Sequence, residues 1–266
     1  MISLVQLLHE VESNPKAIIL AGAPGAGKGF VLKGLDLSGL KILNIDDIFI
    51  DKLKQANVSL DLKNATPEER SQAAKLMRQA TAKLKDEDLP KAIASRESFI
   101  LDGTAASYRQ TEKLKEELEN AGYEVFMLYV YTDLERSLKQ NQDRFEKSGG
   151  KDRSLAPAIV MRTWKNVTDN IKPYFNLFEP NFVAVANTLE GQRIEDINKI
   201  IEKYLTPYKP TGTKEKTPAQ IQKDKERKAK EQAEIQTMLD EDFIYDLLSY
   251  TMSRKEAQMR IAQFLR

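Results

Sequence analysis

Five short apolar runs, separated by longer stretches of helical periodicity, organise the first two hundred residues: Ala17–Ala21, Lys41–Ile45, Ser98–Leu101, Glu124–Tyr131 and Phe182–Ala186. Most are unbroken rather than alternating, the pattern of strands buried on both faces. Glu124–Tyr131 is also rich in β-branched and aromatic residues, which favour strands. One of the intervening helices opens at Thr66-Pro67-Glu68-Glu69. That stretch has an N-cap threonine, proline at the first helical position and glutamate three residues after the cap. Strand–helix alternation of this kind predicts an α/β fold, a parallel sheet of about five strands with helices on both faces.

The pattern changes near Leu205. Residues 206 to 218, TPYKPTGTKEKTP, read as a linker between a domain over 1–205 and a helical extension over 219–266. The stretch AQIQKDKERKAKEQAEIQ is charged all round with a thin apolar stripe, as in a solvated helix. Phe243, Leu247, Tyr250 and Thr251 then recur at helical spacing, and Ser253 with Glu256 forms a capping box ahead of Ile261, Phe264 and Leu265. Two short amphipathic helices follow. Their apolar faces need cover from the domain, from a second copy or from a protein partner seated on 240–266.

Composition removes several classes of chemistry. The 266 residues carry 41 basic and 40 acidic side chains, a net charge of +1, which implies no bulk attraction to nucleic acid or to an anionic membrane. Without cysteine there are no disulfides, zinc thiolates or cysteine nucleophiles, and a reducing cytoplasm suits the chain. The only histidine, His9, excludes multi-histidine metal sites. The first fifteen residues form an amphipathic pattern with Glu10 and Glu12 rather than a signal peptide. No apolar run approaches the ~20 residues of a membrane span.

The first run leads into G-A-P-G-A-G-K, residues 22 to 28, which fits the phosphate-loop pattern directly after a strand and before a helix. Glycines allow the turn, amides point at phosphate oxygens and the following helix presents its positive end. Gly22, Ala23, Pro24, Gly25, Ala26, Gly27, Lys28, Gly29 and Phe30 are therefore the candidate nucleotide-binding residues, with Lys28 bridging the outer phosphates of ATP. The loop resembles that of adenylate kinases, where glycine also follows the lysine. Here neither Gly29 nor Phe30 offers the usual hydroxyl for Mg²⁺. The metal would be held by phosphates, waters and a carboxylate.

Three further segments supply that chemistry. FILDGT, residues 99 to 104, ends an apolar run in Asp102, the candidate carboxylate for Mg²⁺, with Thr104 expected on the acceptor side. ILNIDDIF, residues 42 to 49, sets Asp46 and Asp47 at a strand end. One of them can take a proton from an acceptor hydroxyl while the other caps the next helix; spacing does not choose between them. Arg136, Arg144 and Arg153 flank the Gly149-Gly150 break, as in a mobile lid whose guanidinium groups close over a triphosphate, Arg144 and Arg153 being nearest the break.

The order of loop, aspartate after the second strand, hydrophobic-Asp-Gly-Thr, YVYTDLERSLKQNQDR and VMRTWKNVTDNIKPYFNLF resembles the zeta-toxin-like phosphate-loop kinases of bacteria and their phages over residues 15 to 205. The resemblance implies that Asp46 or Asp47 is the base, that Lys28 holds phosphates and that Arg144 and Arg153 clamp the γ-phosphate. The implied activity is ATP-dependent phosphorylation of a hydroxyl on a small molecule, such as a nucleotide sugar or a modified nucleobase, or on a nucleic acid. A nucleoside monophosphate kinase is the alternative suggested by the adenylate-kinase-like loop. A non-catalytic ATP-binding assembly protein acting through its tail is the third reading.

Overall fold

The computed structural model describes residues 14–187, apart from Gly34, Asp36 and Ser38, and residues 217–265. His9, the N-terminal amphipathic pattern and most of the expected linker lie outside the described residues. All five expected strands are present: β1 (Lys16–Ala21), β2 (Lys41–Asn44), β3 (Phe99–Asp102), β4 (Glu124–Tyr131) and β5 (Phe182–Ala186). Their order is β2-β3-β1-β4-β5, every pairing parallel. A sixth strand, β6 (Thr251–Met252), pairs parallel to β5 through Ala184↔Thr251 and Val185↔Met252. Two residues carry no readable periodicity, so this strand is visible only in the fold.

The helices between the strands are α1 (Lys28–Leu32), α2 (Ile45–Gln55), α3 (Pro67–Lys83), α4 (Leu89–Ala94), α5 (Tyr108–Asn120), α6 (Leu134–Lys147), α7 (Pro157–Asp169) and α8 (Ile171–Phe178). The capping box at Thr66 and Glu69 opens α3 as expected. After the interval come α9 (Pro218–Thr237), α10 (Glu241–Ser249) and α11 (Arg254–Phe264).

Alternation along the strands divides the core in two. Ile19, Met127, Tyr129 and Ala184 point to the face covered by Leu53 of α2, Leu118 of α5 and Trp164 of α7. Ile18, Leu20, Leu128, Val130 and Val183 point to the opposite face, where Val31 of α1 and Ala257 and Ile261 of α11 join them. Ile235 of α9 and Leu247 of α10 belong to the first cluster. The tail thus feeds both layers, and its amphipathic helices find their cover on the chain's own sheet. Burying Ile261 completely is by itself worth about 1.5–3 kcal/mol. Most of α9 is exposed, as its charge pattern predicts. Among the described residues no helix is long and apolar enough to cross a membrane.

In a parallel sheet of this order the chain reverses direction around β1, and the crevice beyond the carboxyl ends of the strands is where ligands bind. Gly22–Lys28 follow β1, Asp46 follows β2 and Asp102 ends β3. The fold gathers at one edge what the chain spreads over eighty residues.

Candidate active site

A cavity of about 420 Å³ opens at that edge, lined by Gly25, Ala26, Gly27, Lys28 and Gly29 of the loop, by Asn44, Asp46 and Asp102, and by Gln140, Asp143, Arg144 and Lys147 of α6. The loop is braced from outside. Ser137 Oγ donates to the Pro24 carbonyl at 2.8 Å, Asn187 Nδ2 donates to the Ala26 carbonyl at 2.8 Å, and the Gly22 amide donates to the Thr104 carbonyl at 3.1 Å. Gly25 and Gly27 adopt φ of +79° and +85°, where side chains are strained. A Cβ on Gly25 would lie 3.0 Å from the Ser137 carbonyl, and one on Gly27 would collide with Asn187. Both glycines are required by the closeness of the braces.

Lys28 Nζ donates to the Gly22 carbonyl at 3.1 Å. Burial pushes its pKa down, and the charges of Asp102 and Asp46 oppose that shift without cancelling it. The half-buried Lys28 side chain shares the cavity with Asp46 and Asp102, whose negative charges favour its ammonium form.

Sequence spacing leaves Asp46 and Asp47 equivalent, but geometry separates them. Asn44, not either aspartate, caps α2, its side chain accepting from the Asp46 amide at 2.8 Å. Both aspartates therefore sit in the helix's first turn, and Asp46 lines the cavity whereas Asp47 is exposed. Arg153 Nη2 donates to Asp46 Oδ1 at 2.5 Å, and Arg144 lies 4.0 Å from the other carboxylate oxygen. Burial raises the Asp46 pKa, but the Arg153 charge and hydrogen bond, with Arg144 and Lys28, outweigh it and hold the carboxyl below its ordinary value. Asp47 is shifted upward instead, by partial loss of hydration and by the neighbouring charges of Asp46 and Asp51.

Arg153 is only 6% exposed. The segment that carries it is stitched down on two sides. The Ser154 amide donates to the Leu60 carbonyl at 3.0 Å, and Ser154 Oγ donates to Asp61 at 2.7 Å while accepting from the Lys63 amide at 3.1 Å. On the other side the Asn141 side chain meets both backbone groups of Leu155, donating to its carbonyl at 2.9 Å and accepting from its amide at 3.1 Å. A mobile lid was expected between α6 and α7. The structure has a compact turn in which Gly149 and Gly150 take φ of +63° and +77°, Arg144 pairs with Asp152, and Arg153 is already docked.

Asp102 lines the cavity beside Lys28, and Asn44 Nδ2 donates to it at 3.3 Å. Burial raises its pKa, against the Lys28 charge. Among the described residues no three potential metal-ligating side chains cluster together. Asp46 is committed to Arg153, Gly29 has no side chain, and the Phe30 ring lies under the guanidinium of Arg254, 4.0 Å away. One carboxylate with phosphates and waters is nevertheless a set that Mg²⁺ accepts, and Asp102 fits it. Thr104 does not line this cavity. Its carbonyl braces Gly22, and the residue borders a second cavity of about 370 Å³ with Ser107, Gln110, Thr111 and Asn166. Arg136 also stays out of the lining; its amide donates to Asp133, the cap of α6.

Sequence reasoning missed Gln140, Asp143 and Lys147, which reach the cavity because α6 presents one face to the loop, and it missed Asn187. The helical spacing of 140, 143, 144 and 147 is the signal that marks that face.

The family model described as Zeta toxin matches residues 5–200. No curated protein matches the sequence. Among solved structures, the chain is similar to the complex of AvrRxo1-ORF1 and AvrRxo1-ORF2 with sulphate ions, at 14% identity and a TM-score of 0.50 over 96% of this chain and 82% of that one. A structure from the PezAT chromosomal toxin–antitoxin system of Streptococcus pneumoniae aligns at 16% identity and a TM-score of 0.49, covering 86% and 92% of the two chains. A kinase-like structure from Chloroflexus aurantiacus aligns at 14% identity and 0.47, covering 73% of this chain and all of that one.

Proposed function

Because the chain belongs to the zeta toxin family of phosphate-loop kinases, we propose that it transfers the γ-phosphate of ATP to a hydroxyl, with Asp46 as the base. The observation that carries this reading is the position of Asp46. A single cavity holds a phosphate-loop lysine, an arginine and an ionised carboxylate that no metal cluster or helix cap has claimed. A phosphate acceptor is already ionised and needs no base, whereas a hydroxyl does. This argues against the nucleoside monophosphate kinase.

In this reading the loop and Lys28 hold the β- and γ-phosphates. Arg144 and Arg153 turn from Asp46 toward the γ-phosphate as charge arrives, which frees the Asp46 carboxylate to orient the acceptor hydroxyl and accept its proton. The attacking oxygen forms its bond to phosphorus as the bond to the β-phosphate oxygen breaks, and ADP leaves. Asp102 would hold Mg²⁺, which when bound neutralises charge on the phosphates. The acceptor class is a nucleotide sugar or a modified nucleobase in preference to a nucleic-acid end, since the cavity has alternating acidic and basic side chains rather than a basic track.

The test is labelled ATP offered with separate panels of nucleotide sugars, hydroxymethylated pyrimidine nucleotides, nucleoside monophosphates and 5′-hydroxyl oligonucleotides. Label is expected on a hydroxyl of one of the first two panels and lost in Asp46→Asn. Labelling confined to monophosphates, or indifferent to Asp46, overturns the reading.

A further inference from the structure

We propose that the tail helix α11 is a positioning element for the phosphate loop, so that its docking sets the affinity for ATP; the inference rests on the kinase reading above. The family model ends at residue 200, so this element lies outside the part of the chain that the family defines.

The helix that follows the loop is short. Five residues make too little helix to persist alone, and its last carbonyls need partners from elsewhere. Those partners come from the tail. Gln258 Nε2 donates to the Val31 carbonyl at 2.9 Å and to the Lys33 carbonyl at 3.0 Å, and Arg254 Nη2 donates to the Lys33 carbonyl at 2.8 Å. The Arg254 guanidinium also lies over the Phe30 ring, while Val31 is buried with Ala257 and Ile261. Phe30, at a position where adenylate-kinase-like loops carry a hydroxyl, is thus a docking residue for the tail. A second route reaches the other side of the loop. Strand β6 pairs with β5, and Asn187, directly after β5, holds the Ala26 carbonyl. Lys28 and Gly29 lie on α1, between the two supports.

The experiment uses the full chain. In Arg254→Ala/Gln258→Ala the buried Ala257 and Ile261 are untouched, so the helix keeps its apolar anchor while its bonds to α1 are lost. The dissociation constant for ATP is expected to rise about 10-fold, within the usual range of coupling between two sites. KM for ATP should rise with it while kcat at saturating ATP stays near the parent's, a split that general destabilisation does not produce. Arg254→Lys with Gln258 intact should recover most of the affinity. Because coupling is reciprocal, the β,γ-methylene analogue of ATP should slow amide exchange in residues 254–264 of the parent, a measurement that stands even where the double variant folds poorly. Unchanged ATP affinity in a folded double variant, or no change in exchange in the parent, overturns the inference. A parent chain that binds no ATP at all would instead sink the kinase reading.

Discussion

The phosphate loop and the Asp46–Arg153 pair share one cavity but are made in opposite ways. The loop is seven contiguous residues between a strand and a helix, and its partners Ser137 and Asn187 hold a shape that its own glycines permit. The pair joins residues 107 positions apart, and no single stretch of the chain brings them together. Asp46 is set by the Asn44 cap of α2, and Arg153 by Ser154 and Asn141 on a turn between two other helices. A loop whose shape is local still admits no side chain at Gly25 or Gly27, where its braces come closest. A site assembled from distant elements depends on supports that never touch the substrate.

The largest expected effect lies in the assembled half. Asp46→Asn should lower transfer by about 10²–10⁴-fold, the usual worth of a general base, with little change in ATP affinity, while the exposed Asp47→Asn stays near the parent. Single-turnover rates with bound ATP decide this. Equal losses in both variants would erase the distinction drawn from their orientation. A pH profile sharpens it. The base acts when ionised, so the rate falls on the acid side as Asp46 protonates. Arg153 is the main force holding that carboxyl low against burial in the unliganded chain, so Arg153→Gln should move the acid limb of kcat/KM, which reports the free enzyme, to higher pH. An unmoved limb would mean that another group titrates there.

The loop half is tested by Lys28→Ala, with a loss of about 10²–10³-fold in turnover, comparable to removal of one preorganised charge-stabilising donor, together with ATP binding, as read by equilibrium dialysis. The fold should survive, since Lys28 belongs to the cavity wall and to neither apolar cluster. Binding as tight as the parent's would remove the phosphate loop from the mechanism.

How much of this the sequence made legible follows the same division. The five strands, the loop and the α3 capping box are local patterns, and each appears where residue spacing places it. The tail helices were also readable, but their cover was not. Whether Ile261 faces the chain's own sheet or another molecule depends on β6, a two-residue pairing without a sequence signal. Asp46 and Asp47 are equivalent in a strand-end reading, because the start of α2 at Ile45, a residue expected to belong to the strand, decides which carboxylate turns inward. The mobile lid was read from Gly149-Gly150, and nothing near those glycines announces that Ser154 will pair with Asp61.

That pairing gives a smaller effect. Ser154→Ala removes the hydroxyl that bonds both Asp61 and the Lys63 amide but leaves Arg153 itself intact. Loss of fine positioning costs up to about 10²-fold when reacting groups shift by an ångström, so a fall in kcat of about 10-fold, with unchanged KM for ATP, is expected. Asp61→Asn retains an acceptor for the serine and should lose less. A KM effect equal to the kcat effect would show that the turn supports the loop instead of Arg153.

The smallest effect is at Gly29, where the loop departs from the usual pattern. A Cβ built there meets nothing within 4 Å, and unlike Gly25 and Gly27 the residue has no left-handed φ to preserve. It is the first residue after Lys28 in α1, where glycine costs roughly 1 kcal/mol relative to a better helix former. Gly29→Ser therefore stiffens the short helix and adds a hydroxyl at the position where phosphate loops usually offer one to Mg²⁺. ATP affinity measured with and without Mg²⁺ should be unchanged or a few-fold tighter, the gain appearing only with the metal. A gain in both conditions would credit the helix alone. A collapse in binding would contradict the open space around Gly29 and mean that the phosphates approach the backbone there as closely as Ser137 and Asn187 approach Gly25 and Gly27.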